Sequence, residues 1–413
     1  MAEKEKLTTL ERNWVLYDVG NSAFTLLVST IIPIYFKNIA SAADVAASDS
    51  TAYWSYALSV STVIVAILGP TLGTFADNKD HKKPMFTFFL VLGVGGLVSL
   101  IFPSNWMTFL ILFVIARVGY SMTLVFYDAM MVDVTTDERM DWVSSFGYAY
   151  GYIGSCVPFI GSLVLILGAG KIGLSTSAAM GIAFAINAAW WTLTTLPLLK
   201  TYKQKYYAET HTGVGETIGR LKHVLGELKD NAKARIFLIA FFFYIDGVYT
   251  IIDMSTSYGK DVGISDTQLL LALLFTQFVA FPCALMFGKL SRKYEADKII
   301  PVCIFAYLCI ALYALQLDTA WKFWFLATMV GIFQGAIQAL SRSYFGKIIP
   351  KEKSSEYFGI YDIFGKGAAF MGTMLMGVAS QIFNTSRAGV GLIAGMFALG
   401  LFLFVKQSKI KAE

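Results

Sequence analysis

WMTFLILFVIARVGYSMTLVFYDAM, residues 106–130, decides the fold. Its 25 residues carry only two charges, Arg117 and Asp128. At a rise of about 1.5 Å per residue, roughly 20 apolar residues cross a hydrocarbon core about 30 Å thick, so the run reads as a membrane-crossing helix. The charged turn TTDER, residues 135–139, ends it, and a second apolar run, 143–168, follows.

The same alternation fills the chain. Apolar runs between charged breaks place spans near 14–38, 52–76, 84–102, 106–130, 143–168, 178–198, 236–258, 266–288, 299–317, 321–345, 356–382 and 388–405. The 413 residues are 56% hydrophobic and 15% charged with a mean hydropathy of +0.61, a composition that would precipitate as a water-soluble surface. At about 34 residues per span and loop, this length holds about twelve crossings. The reading is an all-α membrane protein: a six-helix half at 1–199, a cytoplasmic linker at 200–235 and a second six-helix half at 236–413. The polar start MAEKEKLTTLERNW has no cleavage site behind its long apolar run, so the first helix is expected to stay as an anchor.

Lys and Arg set the orientation, because cytoplasmic loops retain them. Lys4, Lys6, Arg12, Lys79, Lys82, Lys83, Arg139, the run from Lys200 to Arg235, Lys289, Arg292, Lys293, Lys298, Lys347, Lys351, Lys353 and the tail lysines fall on one side. The other side has only Lys171, Lys260, Lys322 and Arg387, with Lys37 near a helix end. Both termini are therefore expected in the cytoplasm, in a cell (inner or plasma) membrane. The net charge of +5 is a topology signal and gives no reason to expect nucleic acid. Cys156, Cys283, Cys303 and Cys309 sit in apolar runs without CxxC spacing, and the three histidines, His81, His211 and His223, lie in charged connections. No disulfide, metal or cofactor is expected.

Within the linker, ETIGRLKHVLGELKD (216–230) repeats Ile218, Leu221, Leu225 and Leu228 at helical spacing, as an amphipathic helix on the cytoplasmic face would. The halves also echo one another: SSFGYAYGYIG at 144–154 resembles SEYFGIYDIFG at 355–365, each behind a short charged turn. Two such halves suit a rocking carrier that exposes its site to either side in turn.

GTFADNKDHKK, residues 73–83, resembles the loop signature of the major facilitator superfamily: Gly73, then Asp77, then the basic cluster Lys79, Lys82 and Lys83. Asp77 is placed to face the N-terminus of a neighbouring helix, whose free N–H groups favour an anion. The counterpart GKLSRKYEADK, 288–298, has Arg292 where the acid would stand, which argues against a symmetric gate. YDVGNSAF (17–24), FYDAMMVDV (126–134) and GAIQALSRSYFGKIIPKEKSSEYFGIYDIFGK (335–366) are similar to the bacterial branch of the family that includes the yeast vacuolar effluxer implicated in amino-acid release after autophagy. The resemblance implies a major-facilitator fold, a monomer, and movement of amino acids or similar metabolites.

A charge near the bilayer centre costs about 2.5–3.5 kcal/mol on insertion scales, so intramembrane ionisable groups are the first functional candidates. Arg117, Asp246 and Lys366 fall near the middle of their spans. Arg117 and Asp128 share a face with Tyr120 between them, so the guanidinium is read either as a ligand for a substrate carboxylate or phosphate, or as one half of a buried ion pair. YIDGVYTIID, 244–253, puts Asp246, Tyr249 or Thr250, and Asp253 on one face with Gly247 loosening the helix. Asp246 is the candidate proton-coupling group, the alternative being a carboxylate locked to Arg117 or Lys366. Asn21 lies deeper in the first span than Asp18, which is expected to be hydrated. Gln334 and Gln338 suit a substrate path, and Arg342 suits a gate bridge to Asp128 or Asp133. Asp362 and Lys366, one turn apart, are placed to neutralise each other. Trp14, Trp106 and Trp321 are read as interfacial belt residues.

The substrate pathway is thus expected from Asn21, Arg117, Tyr120, Asp246, Tyr249, Gln334, Gln338 and Lys366, and the gate from Asp77, Lys79, Lys82, Lys83, Asp128, Asp133, Arg342 and Asp362. The function expected is export of a small polar or zwitterionic solute by a secondary carrier in the lipid bilayer. An exporter of drugs or lipids and a non-transporting sensor with the carrier fold are the alternatives. No Walker A, HExxH or GxSxG constellation with a plausible triad points to ATP hydrolysis or an enzyme.

Overall fold

The structure, a computed structural model, describes residues 6–102, 105–209, 226, 228, 231–261 and 263–410. Those residues are almost wholly helical: α1 (Thr9–Ser29), α2 (Ile31–Ala42), α3 (Ala47–Ala76), α4 (Lys82–Ser99), α5 (Trp106–Val134), α6 (Asp137–Gly168), α7 (Thr176–Thr201), α8 (Ala232–Asp261), α9 (Asp266–Leu290), α10 (Ala296–Ala314), α11 (Ala320–Ile348), α12 (Ser354–Phe383) and α13 (Ser386–Ser408). Among them, eleven segments are long and apolar enough to cross a membrane, α1 and α2 counting as one. Helix α12, 30 residues long, stands where the remaining expected span falls. Most of the amphipathic linker stretch, with Ile218, Leu221 and Leu225, lies outside the described residues.

The first apolar run is not one straight helix. Thr8 and Glu11 close a reciprocal capping box that starts α1. The chain then leaves helical geometry at Thr30 (φ −132°, ψ −74°) before α2 begins. Pro33 is the cause: it has no N–H to continue the ladder and its ring clashes with the carbonyl four residues back.

Two compact units form, and each is built in the same way. One comprises Met1–Val134, Tyr150–Gly215 and Glu352–Gly359; the other comprises Thr135–Ala149, Glu216–Lys351 and Ile360–Glu413. Helix α6 and helix α12 thus each give their first turns to one unit and their remainder to the other. In the first unit α1 packs on α7, α3 on α5, and α4 on α5 and α7; in the second α8 packs on α13, α9 on α11, and α10 on α11 and α13. Close approach of α4 and α5 depends on small residues, as membrane helices require. A Cβ on Gly119 would run into the backbone of Gly93, and Gly96 lies against Ala116 in the same way.

Trp14 corrects the sequence reading. Its ring has no solvent exposure and stacks on Tyr127 at 4.3 Å, while its indole N–H donates to the Tyr127 carbonyl at 3.0 Å. It anchors α1 to α5 inside the unit, and no belt role is left for it. Trp321, by contrast, is 63% exposed.

Candidate functional site

In the first unit, α1 and α5 bring a polar cluster together around Tyr120. The Tyr120 phenol shares a 2.7 Å hydrogen bond with Thr25, and its ring stacks on Phe24 at 4.7 Å and meets Trp191 edge-on at 5.9 Å. Arg117 stands one turn before Tyr120 on α5, and Asp128 lies further along the same helix. Asn21 donates to Asp18 at 3.3 Å, and both are buried. Asp18 is therefore held inside the unit and not hydrated as the sequence suggested. One turn on, Tyr17 donates to Thr123 at 2.6 Å, so α1 and α5 are pinned in register beside the cluster.

The loop between α3 and α4 builds a second, fully buried centre. Asp77 Oδ1 and Oδ2 accept the backbone N–H groups of Ser355 and Glu356, each at 2.9 Å, so the carboxyl caps the start of α12. Gly73 permits this approach, since a Cβ there would lie 2.5 Å from the Ser355 carbonyl oxygen. Lys82 has no solvent exposure; its ammonium donates to Asp133 at 3.1 Å and to Ser354 at 2.9 Å, and stands 4.0 Å from Asp77. Asp133 also accepts from the Tyr202 hydroxyl at 2.6 Å and from the backbone N–H groups of Lys205 and Tyr206 at 2.9 and 3.0 Å.

Two carboxyl groups thus share one lysine, and backbone donors and a phenol make up the difference. Burial pushes the Asp77 carboxyl up to about 6, against the pull of Lys82 and the Glu356 and Ser355 amides. Burial, then the neighbouring Asp133, holds the Tyr202 phenol well above its usual range. Lys79 and Lys83 stay outside this centre, Lys79 lying exposed over the Tyr207 ring at 5.6 Å.

Residues 202–208 form a strap across this loop. Ala208 N–H donates to the Asp77 carbonyl at 2.8 Å, and the Gln204 side chain accepts from Lys82 N–H at 3.3 Å. Tyr202, Gln204 and Tyr206 face inward while Lys203, Lys205 and Tyr207 face out. None of this was visible in the sequence beyond the alternation of residue types.

The second unit replaces the acid of the loop with a different device. Gly288 again permits close approach, now to Ser145 and Trp142, but Arg292 stacks over the Trp142 ring at 4.0 Å. The acid comes from α6: Asp141 accepts from Ser343 at 2.6 Å and pairs with Lys347 at 2.7 Å. Buried Arg342 donates to the Ser144 hydroxyl and carbonyl at 3.0 and 3.1 Å and lies over the Tyr148 ring at 4.4 Å. Asp133, offered as its partner, is engaged by Lys82 and Tyr202.

Asp246, on α8, has no solvent exposure. Its Oδ1 accepts from Gly372 N–H at 2.9 Å and from Thr250 at 3.3 Å, and neither cation suggested by the sequence is among its partners. Lys366 pairs with Asp362 at 2.6 Å. Gly247 leaves room for the ring of Phe397, which a Cβ would meet at 2.5 Å. Gln334 lines a cavity of about 110 Å³ with Thr250, Thr276 and Gln277, and Gln338 and Tyr249 are half-buried. Among the described residues no group of His, Cys, Asp and Glu could hold a metal.

The architecture matches solved transporters. The human organic anion transporter MFSD10 superposes with a TM-score of 0.73 at 13% identity, covering 96% of this chain and 98% of that one. FucP in the outward conformation gives 0.73 at 15% identity, covering 97% and 98%. By sequence, the uncharacterized MFS-type transporter YxiO of Bacillus subtilis (strain 168) is 43% identical over 406 residues, 97% of this chain and 95% of that protein. Autophagy-related protein 22 of Coccidioides immitis (strain RS) is 20% identical over 440 residues, 85% of this chain and 71% of that one. Fold and relatives define a multi-pass membrane protein, a secondary transporter of the major facilitator superfamily and not an enzyme. Within that class, the family model described as vacuole effluxer Atg22 like matches residues 9–413, and the chain belongs to that family.

Proposed function

We propose that this transporter moves a small zwitterionic or otherwise polar metabolite, such as an amino acid, out across the cell membrane by alternating access. The observation that carries the reading is the polar cluster of Asp18, Asn21, Thr25 and Tyr120, with Arg117 one turn before Tyr120 on α5. A guanidinium offers a carboxylate two parallel donors, and a carboxylate accepts an ammonium, so such a cluster recognises both ends of an amino acid. Asn21 and Thr25 add neutral hydrogen-bonding groups on the same helix. The effluxer name of the family supports a transport role. Lys and Arg placement supports cytoplasmic termini, and we take 1–199 and 236–413, joined by 200–235, as the moving halves of a monomer.

Thermal stabilisation of the detergent-purified protein tests this, because a ligand that binds the folded state raises its apparent stability. The panel is amino acids, dipeptides, organic acids, nucleosides and lipids. A shift with amino acids that is lost in Arg117→Ala and reduced in Tyr120→Phe supports the reading. A shift with lipids or bulky hydrophobes alone, indifferent to both substitutions, contradicts it.

A further inference from the structure

We propose that Asp246 is a proton-binding site, loaded through the cavity beyond Thr250, and that its proton is the coupling ion of the transporter; the coupling step rests on the transport reading above. The Asp246 side chain is wholly buried, and the hydrogen bonds from Gly372 and Thr250 both end on Oδ1. Oδ2 is buried and has no hydrogen-bond partner among the described residues.

An ionised carboxylate divides its charge over both oxygens, and a buried charge without donors on one of them is strongly unfavourable. The acid form fits instead: Oδ1 stays the acceptor of two donors and Oδ2 holds the proton. Among the described residues the hydrogen-bond partners of Asp246 are Gly372 and Thr250, and neither carries a charge. On α8 itself Asp253 is exposed and Tyr249 half-buried, while Tyr244 is bound to Ser341. On α12, Asp362 and Lys366 bond to each other. On α11, Arg342 is engaged by Ser144. Helix α13, which sets Phe397 against Gly247, has no titratable residue between Arg387 and Lys406. On α10, Tyr307 stacks on Phe397 and Cys303 is buried. A metal cation is a poor occupant, because it needs about six oxygen ligands and here one carboxyl oxygen is already covered by donors.

The cavity supplies the route. Its volume of about 110 Å³ is walled mainly by apolar side chains, with Thr250, Ser255, Thr276, Gln277 and Gln334 as polar points. One water fits in ~10–15 Å³ of such space, so it admits a short file of them. Thr250 is the join: it lines the cavity and donates to Asp246. The lining comes from the later turns of α8, the early turns of α9, the end of α10 and the start of α11, at the end of the unit opposite its basic connections. With the basic side inward, that end faces outside, where a cell membrane holds its protons at higher activity. Proton entry by this path exchanges with solute exit.

Release of the proton leaves a carboxylate whose Oδ2 requires a donor that the described residues of α8 and α12 do not provide as packed. Ionisation is thereby tied to movement of α8 against α12 at Gly372, where the missing Cβ lets the backbone N–H reach Asp246.

Infrared difference spectroscopy of the whole protein reads the acid directly through the C=O stretch of a protonated carboxyl, with no substrate present. At neutral pH the wild type shows this band, Asp246→Asn loses it, and in D2O its deuterium shift is slower in Thr250→Val. A band that is absent from the wild type, that persists in Asp246→Asn, or that exchanges in Thr250→Val at the wild-type rate overturns the site. If Asp246→Asn does not purify as a monodisperse protein, the exchange rate in Thr250→Val decides alone. Where the site stands, an inward proton gradient across proteoliposomes drives flux of a labelled amino-acid mixture in the wild type; flux by exchange with no response to that gradient overturns the coupling step and leaves the substrate reading in place.

Discussion

Lys82 Nζ lies 3.1 Å from Asp133 Oδ2, and neither side chain touches solvent. Removing one member of a buried pair leaves the other uncompensated and costs about 3–5 kcal/mol. Lys82→Met is therefore expected to lower the thermal midpoint sharply. Lys82→Met with Asp133→Asn should lose less than the two single substitutions together, because the residues share one network. Additive losses in a thermal unfolding series would show that the pair does not act as a unit.

The Asp77 carboxyl sits at about 6 against an ordinary value of 3.8, so its buried state binds a proton more tightly than a hydrated one. Its contact with α12 is firmest below about pH 4, weakens as pH rises through about 6, and is level above that, a difference on the order of 3 kcal/mol. Hydrogen exchange at the Ser355 and Glu356 amides, corrected for intrinsic rates, should follow this course. Asp77→Asn should flatten it, and an unchanged profile in that variant would assign the titration elsewhere.

Tyr202→Phe deletes the phenol bonded to Asp133 and keeps the ring. A hydrogen bond to a charged group contributes about 1.5–3 kcal/mol, so the strap at 202–208 should loosen. Faster limited proteolysis after Lys203 or Lys205 is the expected result. Cleavage at the wild-type rate would mean that the backbone bonds of Lys205 and Tyr206 suffice.

The Lys347–Asp141 pair should behave differently, because Lys347 is a quarter exposed. Water screens it, and its loss in Lys347→Ala is expected at no more than about 1 kcal/mol. High salt should lower the wild-type midpoint toward that of the variant, whereas the buried Lys82 centre should be nearly indifferent to salt.

Gly372→Ala places a methyl group against Asp246 Oδ1 and Thr250 Oγ1. Expression as a monodisperse protein should fall well below that of Gly377→Ala on the same helix, where a Cβ meets nothing within 4 Å. Equal yields of the two would mean that α8 and α12 are not packed as described.

The spans were legible because each is written in its own run of residues. Asp77 was legible too, since Gly73, the acid and the lysines lie within one loop. The partners of Asp133 were not, because Tyr202, Lys205 and Tyr206 lie 69, 72 and 73 residues away, and the last two contribute backbone N–H groups that any residue carries. Gly372 reads as a packing glycine for the same reason: what it gives Asp246 is an N–H. The break at Thr30 could have been found from Pro33, but apolar composition on both sides hides it. Trp14 sits near a span end by count, and only the position of Tyr127 reveals that it points inward.

Counterflow in proteoliposomes tests the central claim most directly. Vesicles loaded with an unlabelled mixture of amino acids should transiently accumulate labelled amino acids when they contain the wild-type protein. Vesicles holding no protein, or the Arg117→Ala variant, should not. Accumulation that is absent with a monodisperse wild-type protein, or undiminished by Arg117→Ala, would contradict the assignment of the Tyr120 cluster as an amino-acid site.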